Sequence, residues 1–222
     1  MSTLTGPRVT ALNGSPRKDW NTAALLAEAL KGARSQGAET ELIHLYDLSF
    51  KGCVSCFACK TKENYRSGKC AQKDDLAPVL ELAARSSGLV IGSPIYIGDV
   101  TASVRAFLER FVFKNLAYDA EEPLAGPPIP ALGLVYTMNI PAESLEPYGY
   151  TSMFSAHKQI FSRLKPPLLE QLFCCDTLQF RDYSRFHAPM FNEAHKREVR
   201  EREFPGDLKK AFDLGVRLAL QP

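Results

Sequence analysis

Residues 8–32 read RVTALNGSPRKDWNTAALLAEALKG and join a short apolar segment to a helical pattern through a turn. The segment 8–12 has the composition of a β-strand, and the Asn-Gly-Ser-Pro sequence at 13–16 is typical of a turn. Leucine and alanine then recur at helical spacing, with Asn21 or Thr22 available as the N-cap. The stretch therefore predicts a strand, a loop and a helix in direct succession.

The same alternation of strand and helix patterns continues along the chain. Four more strands are predicted at short apolar segments, which are 40–46, 89–92, 131–137 and 172–178. Further helices are predicted at about 76–83, 101–113, 157–164 and 205–220. Strands that are apolar on both faces and alternate with helices indicate a parallel sheet covered on each side. We therefore predict one α/β domain over 1–222, a flavodoxin-like doubly wound sheet of five parallel strands with helices on both faces.

Composition and charge argue against several classes of protein. The 222 residues are 45% hydrophobic and 23% charged, as expected of a globular domain with its own core. The net charge of +2 lacks the basic excess of most nucleic-acid binders, and no apolar run approaches the length that spans a bilayer. Six cysteines are too few for a disulfide scaffold and suit a reducing compartment. We expect a cytoplasmic protein without nucleic-acid or membrane partners.

Three predicted loops leave the carboxyl ends of strands, where sheets of this kind bind ligands: 13–22, 93–100 and 137–150. The first loop opens a helix, whose free backbone N–H groups attract anions, and Arg17 adds a bidentate donor. Because the loop lacks the Walker A and dinucleotide-binding glycine patterns, a monophosphate is the favoured ligand. The alternative interpretation is an ordinary turn followed by an N-cap.

The first loop matches the pattern N-G-S-x-R-x-x-x-N-T and resembles that of the NADPH-dependent FMN reductase family of flavodoxin-like oxidoreductases. In that family the loop cradles the phosphate of FMN. The resemblance implies that four residues take the phosphate here, namely Ser15, Arg17, Asn21 and Thr22. Trp20 departs from the small residue that is common at its position in the family.

The second loop, Gly-Ser-Pro-Ile-Tyr-Ile-Gly at 92–98, resembles the second flavin loop of the same family. A stiff proline and flanking glycines let the backbone pass close to a planar ring, and Tyr96 can stack on that ring. The resemblance implies cofactor contacts from Pro94, Ile95, Tyr96 and Gly98, and, by location alone, from Thr137 and Met138. The alternative is a strand-to-helix turn with a core tyrosine.

The loop 51–73 has no sustained period and contains four cysteines in a C-x2-C-x2-C-x10-C pattern: Cys53, Cys56, Cys59 and Cys70. Such close spacing is typical of iron-sulfur ligation, whereas zinc prefers two separated pairs. The loop resembles that of the iron-sulfur flavoproteins, which implies a [4Fe-4S] cluster near FMN, although the gap before Cys70 is longer here. The alternative is a set of partly buried thiols that pack over the flavin.

The resemblance implies an FMN-binding redox flavoprotein, with NAD(P)H as electron donor and a small molecule or protein as acceptor. It also implies a homodimer or homotetramer. No catalytic acid or base is expected, because the chemistry belongs to the flavin. The competing hypothesis is a metal- or redox-sensing module that works through the cysteine loop without flavin.

Three other segments carry weaker expectations. The segment 179–205 is expected to cover the active site or make a subunit contact. The alternating charges at 196–203 indicate a solvated helix face. Cys174 and Cys175, within a predicted strand, are expected to be buried as small hydrophobic residues.

Overall fold

The computed structural model describes residues 6–221. Within that range, six strands and six α-helices follow one another as β1 (Arg8–Asn13), α1 (Asn21–Ser35), β2 (Glu39–His44), α2 (Leu76–Arg85), β3 (Gly88–Tyr96), β4 (Asp99–Val100), α3 (Ala102–Asn115), β5 (Ala131–Thr137), α4 (Tyr150–Ser162), β6 (Leu169–Cys174), α5 (Glu193–Arg202) and α6 (Phe204–Ala219).

The main sheet has the strand order β2-β1-β3-β5-β6, and all its neighbouring strands are parallel. This arrangement confirms the predicted flavodoxin-like sheet of five parallel strands. The short strand β4 is an addition that pairs antiparallel with the end of β3. Because the chain moves outward from β1 to β2 and then returns to the other side of β1 with β3, the strand order reverses between β1 and β3. Ligands of such sheets bind at the carboxyl end of this switch point.

Helices cover both faces of the sheet, as predicted. The α1 and α6 helices pack against one apolar cluster, and α2, α3 and α4 pack against the other. The α1 and α6 backbones approach very closely, because a Cβ at Gly215 would lie 1.7 Å from the carbonyl oxygen of Ala29. A side chain at Gly215 would therefore force the two helices apart.

Most predicted elements shift by one or two residues in the structure, and three differ more. The strand predicted at 89–92 spans Gly88–Tyr96, which includes residues that were predicted as loop. The last strand was predicted at 172–178 but forms at Leu169–Cys174, because the chain leaves the sheet at Asp176, whose φ is 57°. The first residues of this edge strand are only half-buried, which explains their weak apolar signal. The helix predicted at 157–164 spans Tyr150–Ser162 instead.

The remaining fold-level expectations concern cysteines and membranes. Cys174 is buried, as predicted, whereas Cys175 is half-buried, and all six cysteines are free thiols. No helix in residues 6–221 is long and apolar enough to cross a membrane.

Candidate cofactor site

The loop between β1 and α1, called the phosphate loop below, is fixed by hydrogen bonds between near neighbours. Asn13 Oδ1 accepts from the Ser15 backbone N–H at 2.9 Å, and Ser15 Oγ accepts from the Arg17 backbone N–H at 3.1 Å. The Gly14 N–H donates to the Gly92 carbonyl oxygen at 2.8 Å. The loop is therefore tied both to itself and to the adjacent strand β3.

The second and third loops lie beside the phosphate loop. After Tyr96 the chain makes a tight hairpin into β4, with positive φ angles at Ile97 and Gly98. Burial raises the pKa of Tyr96, although 43% of this residue remains exposed. In the third loop, Thr137 Oγ1 lies 2.8 Å from Thr22 Oγ1. This hydrogen bond joins the end of β5 directly to the start of α1.

Residues of all three loops line a cavity of about 110 Å³ at the carboxyl edge of the sheet. The structure brings nine of the ten predicted cofactor residues to this cavity: Ser15, Arg17, Asn21, Thr22, Pro94, Ile95, Tyr96, Thr137 and Met138. Gly98 lies in the adjoining hairpin, outside the lining. Trp20, Asn139 and Gln179 also line the cavity. Trp20 belongs to the first predicted site loop and Asn139 to the third, whereas Gln179 was covered only by the general expectation that 179–205 lies over the active site or makes a subunit contact.

Unpaired polar atoms gather around this cavity. Within residues 6–221, only four buried side-chain nitrogen or oxygen atoms lack a hydrogen-bond partner. Two belong to the cavity lining, Trp20 Nε1 and Asn139 Oδ1, and a third is Thr177 Oγ1, two residues before Gln179. A buried polar group without a partner costs about 1–3 kcal/mol. Since such groups are usually satisfied, these atoms fit a polar ligand that can hydrogen-bond to them.

The segment 176–203, called the strap below, crosses the phosphate loop. Its backbone carbonyl groups at Leu178 and Gln179 accept hydrogen bonds from Asn21 Nδ2 at 3.1 Å and Arg17 Nη1 at 2.7 Å. The structure thus brings the predicted excursion 179–205 onto the candidate site, and its backbone contacts two of the predicted phosphate residues.

Helix α5, within the strap, adds two cations to this edge. Arg200 Nη1 donates to Asn21 Oδ1 at 2.7 Å, and Lys196 Nζ donates to the Asn139 carbonyl oxygen at 2.8 Å. Lys196 is buried and also pairs with Asp176. The expectation of a solvated face at 196–203 is therefore wrong for Lys196 and Arg200. The alternation of positive and negative residues in the sequence could not reveal this, because the partners Asn21 and Asn139 are distant in sequence.

Two thiols of the cysteine loop, Cys53 and Cys70, lie close enough to Cys59 to act on its pKa. Cys53, Cys59 and Cys70 are half-buried, whereas Cys56 is exposed. Burial raises the pKa of Cys59; Lys60 acts against this shift, and the nearby Cys70 and Cys53 add to it. Within the described range, no three His, Cys, Asp or Glu side chains are arranged as the ligands of one metal ion. The predicted cysteine ligands therefore remain a hypothesis.

The cysteine loop and the phosphate loop leave the same edge of the sheet. The strand ends before them are joined by a hydrogen bond of 2.9 Å between Asn13 Nδ2 and His44 Nδ1. An ion pair of 2.7 Å between Lys18 Nζ and Asp47 Oδ2 links the residues that follow. Groups bound in the two loops would thus share one edge of the molecule.

A larger cavity of about 500 Å³ lies between α3, α4 and the start of the cysteine loop. His157 lines it, held by Tyr136 OH, 3.1 Å from Nδ1, and by Asp99 Oδ1, 3.3 Å from Nε2. Burial lowers the pKa of His157, and Asp99 offsets only part of that shift. This cavity shares no lining residue with the smaller one.

Known proteins resemble this chain both in sequence and in fold. The chain is 36% identical over 103 residues to an iron-sulfur flavoprotein of Methanocaldococcus jannaschii, covering 46% of this chain and 51% of that protein. It is 40% identical over 103 residues to an iron-sulfur flavoprotein of Archaeoglobus fulgidus, covering 46% of this chain and 48% of that protein. The chain thus spans about half the length of the curated relatives it matches.

Solved structures extend the similarity of fold over nearly the whole chain. An NAD(P)H:quinone oxidoreductase from Methanothermobacter marburgensis superposes with a TM-score of 0.66 at 16% identity, covering 96% of this chain and 99% of that one. An FMN-dependent NADH-azoreductase from Bacillus anthracis, in complex with FMN, superposes with a TM-score of 0.60 at 10% identity, covering 96% of this chain and 99% of that one.

The family model that matches is described as NADPH-dependent FMN reductase, and it covers residues 7–146, more than half of the chain. The matched range contains the phosphate loop, the second flavin loop and the cysteine loop, but not the strap. On this evidence the chain belongs to the NADPH-dependent FMN reductase family.

Proposed function

We propose that this protein is an FMN-dependent oxidoreductase that takes electrons from NAD(P)H and passes them to a small molecule or to another redox protein. The proposal rests on the convergence of three loops, with two unpaired buried polar groups at Trp20 and Asn139, at the switch point of the sheet. Membership of the reductase family supports the same ligand and the same class of reaction.

The phosphate of FMN fits the start of α1. Ser15 and Thr22 supply buried hydroxyl groups, Asn21 supplies an amide, and the first turn of the helix supplies free N–H groups. Arg17 forms no ion pair with any carboxylate in residues 6–221, so its charge is available to an anion. Charge-assisted hydrogen bonds of this kind contribute about 1.5–3 kcal/mol each.

The flavin ring fits the wall made by the second and third loops. FMN, when bound, supplies the hydride and electron chemistry. Pro94, Ile95 and Tyr96 give this wall a mainly apolar surface, and Thr137 and Met138 close it from β5. We assign Gly98 to the same hairpin, where its φ of 81° permits the turn beside the ring. The role of these residues is to bind and orient the ring, and no side chain is assigned as acid or base.

We further propose that the cysteine loop binds a [4Fe-4S] cluster through Cys53, Cys56, Cys59 and Cys70. Two observations support the proposal: Cys53 and Cys70 both act on the pKa of Cys59, and the curated relatives are named iron-sulfur flavoproteins. Cys56 is exposed and would have to turn inward. The neighbouring residues Ser55 and Phe57 have positive φ angles, so the backbone around Cys56 is already sharply bent.

We also propose a homodimer or homotetramer in the cytoplasm. Exposed apolar side chains at Val54, Phe57 and Ile160, beside the larger cavity, support a subunit contact there. Six free thiols suit a reducing compartment. Size-exclusion chromatography with light scattering tests the oligomer, and a monomer at micromolar concentration would contradict it.

One preparation tests the proposed function and its competitor. The protein is purified without oxygen, and flavin, iron and sulfide are measured beside the visible spectrum. We expect bound or recoverable FMN, bleaching of the flavin absorbance by NADPH or NADH, and iron and sulfide in cluster-like ratio. If flavin is present without iron and sulfide, the proposed reductase stands and the proposed cluster is excluded. A colourless protein that contains zinc and does not bind added FMN would favour the sensing module instead.

A further inference from the structure

Three cationic side chains face the cysteine loop: Lys60, within the loop, and Arg110 and Lys114, one turn apart on α3. Arg110 is only 1% exposed and Lys114 only 3%. Lysine and arginine are almost never buried to this extent unless negative charge compensates them. We therefore expect negative charge close to Arg110 and Lys114.

Arg110 joins the two ends of the cysteine loop. Its Nη1 donates to Asp74 Oδ2 at 2.5 Å and to the Lys51 carbonyl oxygen at 3.2 Å, and its Nη2 donates to the Gln72 carbonyl oxygen at 3.3 Å. Burial lowers the pKa of Arg110, but Asp74 and the adjacent Cys70 raise it, and the net shift is upward. Its Nε is the fourth buried polar atom without a partner in residues 6–221. Arg110 thus keeps one donor without a partner, while its charged group acts on the adjacent Cys70.

Lys114 approaches Cys70 from the other side. Its Nζ donates to the Gly68 carbonyl oxygen at 2.8 Å and to Asn115 Oδ1 at 3.2 Å. Gly68 and Gln72 each stand two residues from Cys70, so the two α3 cations bracket that thiol along the chain. Burial lowers the pKa of Lys114 to about 8, and Glu81, Cys70 and Cys59 act against this shift.

Lys60 completes the set beside Cys59. Its Nζ donates to the carbonyl oxygens of Phe113 and Leu116, at the end of α3. Burial lowers the pKa of Lys60, and the Cys59 and Cys53 thiols raise it.

Lys60 and Lys114 have no carboxylate directly paired with them. Asp74 pairs with Arg110, but neither Lys60 nor Lys114 forms an ion pair with a carboxylate in the described part of the chain. Two further carboxylates act in this region, since Glu81 raises the pKa of Lys114 and Glu109 Oε2 accepts from the Cys53 backbone N–H at 3.2 Å, but neither pairs with the lysines. An anionic group held by the thiols of Cys53, Cys59 and Cys70 would bring negative charge next to both lysines. The three cations therefore lie where they would compensate the negative charge of a thiolate-ligated cluster.

We propose that Lys60, Arg110 and Lys114 set the reduction potential of the group bound by the cysteine loop, an inference that rests on the proposed iron-sulfur cluster. They are positioning residues that act through charge and hydrogen bonds, and they are not ligands. Reduction of the cluster adds one electron from reduced flavin and no proton, so its negative charge increases. Neighbouring cations stabilise the more negative state, and the reduction potential therefore rises.

The test compares Lys114→Met with Lys114→Arg in the anaerobically purified holoprotein. The cluster midpoint potential is measured by redox titration, together with iron and sulfide content. We expect Lys114→Met to lower the equilibrium constant for reduction about tenfold or more, which is ~59 mV for a one-electron couple. Lys114→Arg keeps the charge and should stay near the wild-type potential. The matched control is Lys209→Met, because Lys209 is exposed on α6, on the opposite face of the sheet, and its loss should leave the potential unchanged.

Three outcomes would overturn the inference. One is an unchanged potential in Lys114→Met with full iron content, and another is an equal shift in Lys209→Met. The third is the absence of iron and sulfide from the wild type, which removes the cluster but leaves flavin binding to be judged by its own spectrum. If Lys114→Met does not fold, as judged by circular dichroism, Lys60→Met provides the same comparison at a less buried position.

Discussion

The phosphate loop and the cysteine loop leave the same edge of the sheet but are held in place by different means. The phosphate loop is short, and hydrogen bonds between near neighbours such as Asn13 and Ser15 fix its path. The cysteine loop is long and has little regular structure, and Arg110 reaches it from a position 59 residues beyond Lys51. A local motif can specify the first loop, whereas the second depends on tertiary contacts with α3.

The largest expected effect comes from Gly14→Ala in the phosphate loop. A Cβ at this position would lie 2.0 Å from Val104 Cγ2 and 2.9 Å from the Gly92 carbonyl oxygen. Overpacking of this kind costs about 1–3 kcal/mol. We expect reduced thermal stability and more than tenfold weaker FMN binding, as measured by thermal unfolding and flavin titration.

Gly206→Ala is the matched control for this substitution, because a Cβ at this position would meet no atom within 4 Å beyond its sequence neighbours and its own helix backbone. Equal behaviour of the two variants would show that the phosphate loop tolerates a side chain at Gly14. It would thus contradict the tight path of this loop described above.

A smaller effect is expected when the strap is loosened by Arg200→Gln. Arg200 donates to Asn21 Oδ1 at 2.7 Å and lies over the Phe204 ring. Loss of one such hydrogen bond costs about 0.5–1.5 kcal/mol, so FMN binding should weaken by up to about tenfold. Arg202→Gln is the control, because Arg202 lies on the same helix with a largely exposed side chain. If both variants bind FMN equally well, the strap does not support the phosphate loop.

The smallest effect is a pH dependence that belongs to the cysteine loop. Burial raises the pKa of Asp74, but its hydrogen bond and ion pair with Arg110 more than offset this, and the net shift is downward. The unfolded chain then binds more protons than the folded one, so this stabilisation is present above about pH 4 and is lost as the pH falls through the folded pKa. We expect the free energy of unfolding, measured with urea, to fall less steeply with decreasing pH in Asp74→Asn than in the wild type. An unchanged pH dependence would exclude the pair as its source.

The sequence was sufficient to predict a flavodoxin-like parallel sheet with helices on both faces and most of the lining of the small cavity. Ser15, Arg17, Asn21 and Thr22 were predicted because the family pattern that they match lies within one continuous loop, and the structure places all four in the cavity lining. The role of Gln179 was not predictable, because it contributes a backbone carbonyl group and any residue could do so. The burial of Lys114 was hidden for a related reason, since its partner Gly68 lies 46 residues away.

The most direct test of the account compares FMN with riboflavin, which lacks the phosphate, in titrations of the wild type and of Arg17→Ala. The account predicts that the wild type binds FMN more tightly than riboflavin. It also predicts that Arg17→Ala weakens FMN binding by about 1.5–3 kcal/mol, roughly ten- to a hundredfold, and leaves riboflavin binding unchanged. Equal losses for the two ligands, or no loss for FMN, would contradict the assignment of the phosphate to this loop.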